Sequence, residues 1–370
     1  MGIQEHFAPD HPAASLRPPQ ARLIDEGDLA PFVRALDHSG HPVATDGDLV
    51  TGKPVLLLFC HSTEDPALAA GLTGFRAIAD RLAGMQATLF VISRNGVEAN
   101  AAARAGLSLP FAILADTRSD IFKAYGVDPY PAVPRLTLFI LDPGHRVARV
   151  FDRLAPEALA ERAVEETARL CAGRPAERLQ SHAPVLVLPR MLSLADCAFL
   201  AAIWSRPVPE YATDGFTNAG TKAETGDFKV VHDGVYGRAV EYIVRDADLQ
   251  QFIDGRMRRR LLPEIRKAFQ MTGLKREGYR IAGYESRAGG FLNPHRDNSI
   301  PANAHRRFTM TVNLNAGEYE GGELRFREYG EQLYAVKRGT AVVWSASLLH
   351  EVLPVTQGRR LVLGVHMFGA

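Results

Sequence analysis

The chain has 370 residues, with 43 Lys and Arg against 42 Asp and Glu, so its net charge of +1 makes no bulk electrostatic case for nucleic acid or an anionic membrane as partner. Hydrophobic residues make up 46% and charged residues 23%, which suits a folded globular protein rather than a disordered one, and the length predicts two domains at about 150 residues each. No apolar run approaches the roughly 20 residues that cross a bilayer.

Residues 1–24 read as a flexible tail. The start lacks a basic segment followed by an apolar one, so no secretory signal is expected, and His6 stands where a myristoylation motif after Gly2 needs Ser or Thr. Cys60, Cys171 and Cys197 are an odd, scattered set that builds no disulfide framework; a reducing cytoplasm is the expected location.

Residues 25–155 alternate between two periodicities. "KPVLLLFC" is a continuous apolar run of the kind buried on both faces. A helical stretch follows through "GLTGFRAIADRLAGM", then the strand "QATLFVIS", a helix at "GVEANAAARAG", the segments "PFAILAD" and "SDIFKAYGV", and the strand pair "RLTLFILDPGHRVARVF". Alternating strands and helices predict an α/β layer fold. Residues 156–181 are Ala- and charge-rich with helical spacing, break at Gly173 and Pro175, and lead through a linker into a second domain over 182–370. In that second domain "GRMRRRLLPEIRK" falls in an amphipathic helix with Leu249, Phe252, Ile253, Met257, Leu261, Leu262 and Ile265 on its apolar positions. Its arginines are expected on a solvated face.

The chemistry lies in the last hundred residues. Of twelve His, only His295 has Asp two residues on. Residues i and i+2 of a strand share a face, so His295 and Asp297 reach one ion while Arg296 points away. His350, between two β-rich stretches, supplies a third ligand. Two imidazoles and a carboxylate on one face of an octahedron leave open positions, which suits non-haem Fe(II) and O2, whereas a closed structural zinc site takes four ligands. Taken singly, a His in a strand is more often a hydrogen-bonded core residue; the ordered set of four, with Arg360 ten residues after His350, is what points to a metal. On the last strand Arg360, Val362, Gly364 and His366 share one face, giving a guanidinium that can fork onto a carboxylate. Thr309, Thr311 and Asn313 form a polar strand face opposite Phe308, Met310, Val312 and Leu314.

These residues resemble the Fe(II)- and 2-oxoglutarate-dependent dioxygenases, within them the prolyl 4-hydroxylase-like group. The resemblance covers about the last half of the chain, from "APVLVLPRMLSLADCAFLAAIW" through "YESRAGGFLNPHRDN" and "FTMTVNLNAGEYEGGELRF" to "HEVLPVTQGRR". It implies a C-terminal double-stranded β-helix (jelly roll) with flanking helices, iron on His295, Asp297 and His350, and Arg360 on the distal carboxylate of 2-oxoglutarate. The implied reaction hydroxylates an unactivated C–H bond of a peptide, protein side chain or amino-acid-like molecule, consumes O2, and decarboxylates 2-oxoglutarate to succinate and CO2, with ascorbate as a stimulant. Related halogenases lack the carboxylate that Asp297 supplies. No catalytic residue beyond the metal ligands is implied. The family often has Tyr where this chain has Asn313, whose amide can still bond a carboxylate, and Tyr284 matches a Tyr ahead of the metal motif; its alternative role is that of a half-buried strand aromatic.

Residues 25–155 resemble a peroxiredoxin or thioredoxin-like domain, so the whole reads as a two-domain α+β protein. The peroxidatic Cys is missing from "HSTEDPALAAGL", and Cys60 lies too early, at the strand end; Arg135 matches an Arg those enzymes use near the thiolate. A non-catalytic module is expected, one that either recruits a protein or peptide partner or covers the pocket. Two alternatives remain: a thiol peroxidase acting through Cys60, and a metal-binding sensor or scaffold.

Overall fold

The structure, a computed structural model, describes residues 18–19, 22–47, 50–172, 178, 181–204, 222–223, 226–233 and 237–369. Most of the expected tail, and the break at Gly173 and Pro175, lie outside the described residues. The chain divides into two compact units, and the division is not sequential: Ala21–Gln180 together with Arg256–Phe269 form one, and Ser181–Gly255 with Gln270–Ala370 belong to the other.

In the first unit a seven-stranded sheet runs in the order Pro42–Ala44, Arg34–Asp37, Ala112–Ala115, Thr88–Ser93, Val55–Cys60, Leu136–Leu141, Val147–Phe151. The strands Val55–Cys60, Thr88–Ser93 and Ala112–Ala115 are mutually parallel, and the outer pairings are antiparallel. Every residue of Val55–Cys60 is buried because both faces are covered. Leu56, Leu58 and Cys60 pack with Leu68, Leu72 and Phe75; Val55, Leu57 and Phe59 pack with Phe122, Tyr125 and Phe139. The helix Pro66–Ala77 begins cleanly, with Pro66 in its first turn and the Asp65 carboxylate accepting from the Ala67 amide at 2.9 Å. This is the thioredoxin-like fold expected of residues 25–155.

The helix Ala247–Arg256 passes through a π-helical turn, Met257–Leu261, into Leu262–Phe269. The expectation that its arginines form a solvated face fails at Arg256 and Arg260, which are 2% and 1% exposed. The wider π turn shifts the helical phase, so Arg260 is buried as Met257 and Leu261 are. There its Nε donates to Asp28 Oδ1 at 2.7 Å, while Arg259 Nε donates to Oδ2 at 3.0 Å.

The second unit is an antiparallel sheet whose main path runs Leu333–Tyr334, Leu324–Arg325, His350–Val352, Phe291–His295, Gly237–Val244, Arg280–Glu285, Val355–Phe368, Arg306–Asn313, Ala341–Ser345, Leu186–Leu188. Phe291–His295 and Arg306–Asn313 stand four places apart, roughly 19 Å on a flat sheet at about 4.8 Å per strand. Yet Thr309 and the Asp297 that follows His295 are in hydrogen-bond contact at 2.5 Å. The sheet therefore curls over itself into the double-stranded β-helix, and Ala239, Tyr284, Phe326, Trp344, Val352 and Val362 fill the space between its walls.

Candidate metal centre

Each ligand is placed by a different local device. His295 ends the strand Phe291–His295 and pairs in register with His350, the first residue of His350–Val352. The imidazole of His295 donates from Nδ1 to the Asn293 carbonyl at 2.7 Å, and that of His350 from Nδ1 to the Leu348 carbonyl at 3.0 Å. Both rings are thereby held in the tautomer that leaves Nε2 unprotonated and free to ligate. Asp297 follows on an extended turn, its amide bonded to the Ala346 carbonyl at 2.9 Å. His295 Nε2 lies 3.6 Å from Asp297 Oδ1 and His350 Nε2 lies 3.4 Å from Oδ2. The three donor atoms fall within 4.8 Å of one another.

Arg296 points away, as alternation requires. It is exposed and bonds Glu328 at 2.6 Å and the Ser347 carbonyl, while Glu328 also accepts from the Leu349 amide at 2.9 Å. The segment carrying Asp297 is thus tied to the one carrying His350.

Behind Asp297, the Thr309 hydroxyl donates to Oδ2 and stands 3.0 Å from His366 Nδ1. Since the only hydroxyl proton goes to the carboxylate, His366 donates to Thr309 and carries its proton on Nδ1. Burial, aided by the Arg280 charge, brings the His366 pKa down to about 4, so the ring is neutral. Burial alone would raise Asp297, but the His295 bond, the nearby imidazoles and Thr309 outweigh it and hold the carboxyl well below the usual range. His295, by contrast, is raised, the Asp297 carboxylate overcoming burial, whereas burial prevails at His350 and lowers it.

The three ligands line a cavity of about 180 Å³ together with Tyr284, Trp344 and Arg360. Arg360 is 6% exposed and lies over the Tyr284 ring, 5.2 Å from its centroid, the two being cross-strand partners. Gly322, at φ +70°, makes room for it: a Cβ there would stand 2.8 Å from Arg360 Cδ. Arg360 Nη1 and Trp344 Nε1 are buried donors with no partner among the described residues. Leaving such a donor unpaired costs about 1–3 kcal/mol, so both are suited to a polar ligand. Tyr284 is pushed up to about 12 by burial and stays a protonated phenol.

Asn313 lines a second cavity of about 420 Å³ that also reaches Arg360. Its amide donates to the Tyr319 hydroxyl at 2.5 Å and to the Val336 carbonyl at 3.4 Å. Tyr319 escapes sequence reasoning because it lies six residues on, in another strand, and only its register opposite Gly358 brings it to Asn313. The donor set fits a divalent metal: two imidazole nitrogens and a carboxylate converge, and an unpaired guanidinium waits in the same cavity.

At the other unit, Cys60 is fully buried, donates to the Ser62 carbonyl at 3.1 Å, and burial pushes its thiol up to about 12. Arg135 is exposed. A peroxide-reactive thiol needs the opposite environment.

Residues 279–367 match the model of the 2OG-Fe(II) oxygenase superfamily and residues 27–150 that of the AhpC/TSA family. A PKHD-type hydroxylase of Psychrobacter sp. (strain PRwf-1) is 26% identical over 183 residues, 48% of this chain and 66% of that protein. One from Saccharophagus degradans is 41% identical over 75 residues, 18% of this chain and 33% of that protein. The chain thus spans less than two-thirds of the length of these curated relatives. Among solved structures, the peroxidoxin BcpB of Mycobacterium tuberculosis is 22% identical, covering 40% of this chain and 97% of that one at a TM-score of 0.37. The collagen prolyl hydroxylase of Paramecium bursaria Chlorella virus-1 is 17% identical, covering 50% and 96% at 0.35. The C-terminal unit carries a 2OG-Fe(II) oxygenase domain and the N-terminal unit a peroxiredoxin-like one.

Proposed function

We propose that this protein is an Fe(II)- and 2-oxoglutarate-dependent hydroxylase, in which one C–H bond of an organic substrate becomes C–OH while 2-oxoglutarate and O2 become succinate and CO2. The observation that carries the reading is the unpaired Arg360 guanidinium in the same cavity as the His295, Asp297 and His350 donor atoms. Bound Fe(II) supplies the O2 chemistry. The protein's own groups do the rest. His295, Asp297 and His350 hold the metal on one side, leaving positions open. Arg360 takes the far carboxylate of 2-oxoglutarate with Tyr284 beside it, and Asn313 holds the Tyr319 phenol at the neighbouring cavity. Val352, Val362 and Trp344 keep the wall apolar and exclude water.

The test is direct. Protein supplied with Fe(II), 2-oxoglutarate and ascorbate is expected to form succinate, slowly even without the second substrate, with ascorbate stimulating it. His295→Ala or Asp297→Ala should abolish turnover and metal binding, and Arg360→Met should raise the KM for 2-oxoglutarate by tenfold or more. Wild-type-like turnover in both ligand variants would sink the assignment. For the N-terminal unit we propose a non-catalytic role, as a recruiting module for a protein or peptide partner. Its support is the inaccessible Cys60, and peroxide consumption lost in Cys60→Ser would refute it. Among the described residues no helix is long and apolar enough to cross a membrane; a cytoplasmic location is proposed, for fractionation to check.

A further inference from the structure

Glu241 and Arg280 are charged residues on the wall of the same 180 Å³ cavity as the metal ligands, and the proposed chemistry leaves them without a task. They sit on neighbouring strands, Gly237–Val244 and Arg280–Glu285. Their side chains are 15% and 26% exposed, and Arg280 Nη1 approaches Glu241 Oε1 only to 3.6 Å. That is an ion pair but not a hydrogen bond. Among the described residues Arg280 has one other carboxylate within 4 Å, Glu277 at 3.8 Å, and Glu277 is already engaged by Arg306 at 2.6 and 2.8 Å. Two partly desolvated charges facing a cavity, with no hydrogen bond to either carboxylate or guanidinium among the described residues, are incompletely compensated there. A ligand bearing both charges would complete them.

Register separates this pair from the cosubstrate end. Tyr284 pairs with Arg360 and Arg280 with Gly364, so the two guanidinium-bearing positions are four residues apart along the strand, roughly 13 Å at about 3.3 Å per residue. Thr311, one of the wall residues beside the metal's Thr309, pairs with the same Gly364. Thr309, which holds Asp297, pairs with His366, so Arg280 lies two residues from the level of the metal ligands and Arg360 six. Space is also provided: Ala239 and Ala282 are the neighbours on the cavity face, and a Cβ on Gly364 would press on Arg280 Cγ at 3.3 Å.

We propose that Glu241 and Arg280 form the polar end of the prime-substrate subsite, and that the substrate is a free α-amino acid, its ammonium meeting Glu241 and its carboxylate Arg280. This rests on the hydroxylase reading above. A cavity of this size, below the roughly 300–1,000 Å³ of sites for drug-sized ligands, suits a compact molecule, and only a zwitterion repairs both charges when it parts the pair.

The experiment measures succinate formation by the full chain with Fe(II), 2-oxoglutarate and ascorbate, adding each of the standard amino acids free, N-acetylated or C-amidated, with mass spectrometry of the product. At least one free amino acid should raise succinate formation above the rate without it and gain one oxygen. Its blocked forms should fall at least a hundredfold in kcat/KM. Glu241→Gln and Arg280→Gln should each raise the KM for that amino acid tenfold or more, a larger effect than on kcat. The double variant Glu241→Arg with Arg280→Glu keeps an ion pair, so it would restore KM if the pair were merely structural and should leave it high if the pair orients a zwitterion. Blocked forms or peptides accepted as well as free amino acids, or no stimulation by any amino acid while succinate still forms alone, would overturn the subsite. No succinate and no 2-oxoglutarate binding would instead overturn the hydroxylase reading itself.

Discussion

Thr309 shows how much of the centre depends on residues that touch no metal. Its hydroxyl is the donor that holds Asp297 Oδ2, and its own oxygen is held by a neutral His366. Thr309→Val should weaken Mn(II) or Fe(II) binding by roughly 10–100-fold, the usual range for an outer-shell partner, whereas Thr309→Ser should retain most of the affinity; a metal titration by calorimetry decides it. Cys60 gives a second test at this scale. Its folded pKa, about 12, stands above the ordinary 9.0, so the neutral thiol is favoured by folding. Its contribution is constant below about pH 9 and is lost as pH rises from there toward 12, because the unfolded chain ionises first. Urea titrations at pH 8 and pH 10.5 should show a smaller loss in Cys60→Ala than in the wild type, and a maleimide should leave native Cys60 unmodified. The shared facing of His295 and Asp297 was legible from their two-residue spacing, whereas His350 and Arg360 stand on other strands and joined them only through the ordered set and the family resemblance. Thr309–His366, Trp344 and Tyr319 were not legible, since each acquires its role from a strand distant in sequence.

At the scale of elements, the two periodicities were enough to place the sheets. The continuous apolar run at residues 54–60 does form a central strand buried on both faces, whereas in Arg306–Asn313 the polar and apolar positions Thr309 and Met310 are both buried and both line the metal cavity. The helical segment 247–269 was legible as a helix but not in its facing. A regular 3.6-residue period puts the arginines outside, and the π turn at Met257–Leu261 turns Arg260 inward to Asp28. Nothing in a one-dimensional pattern announces a π turn, because its signal is the burial of a charge that needs a distant partner. Both side chains are all but fully buried, at 0% and 1% exposure, and Asp25 stands 4.0 Å from Arg260 while Arg259 also bonds Asp28, so removing Asp28 takes from Arg260 its nearest carboxylate inside the fold. Asp28→Ala should cost about 3–5 kcal/mol of stability in urea unfolding, and replacing Asp28 and Arg260 together by apolar residues should cost much less.

For the molecule as a whole, the assignment of Arg256–Phe269 to the unit built from residues 21–180 was beyond sequence reasoning, which drew its boundary near residue 181. A chain begun at residue 182 would carry Arg260 without Asp28 and the apolar residues of that segment without their packing. It should be rapidly cleaved within 256–269 by a protease that spares the full-length protein. The same arrangement bears on what a cut would do. Breaking one peptide bond near residue 181 would leave the N-terminal unit assembled from two chains, its last helical piece supplied by the other fragment. The effective concentration that the intact backbone provides would be replaced by a true bimolecular equilibrium. Fragments 1–180 and 181–370, expressed together, should then copurify through residues 256–269, and Asp28→Ala should loosen that association.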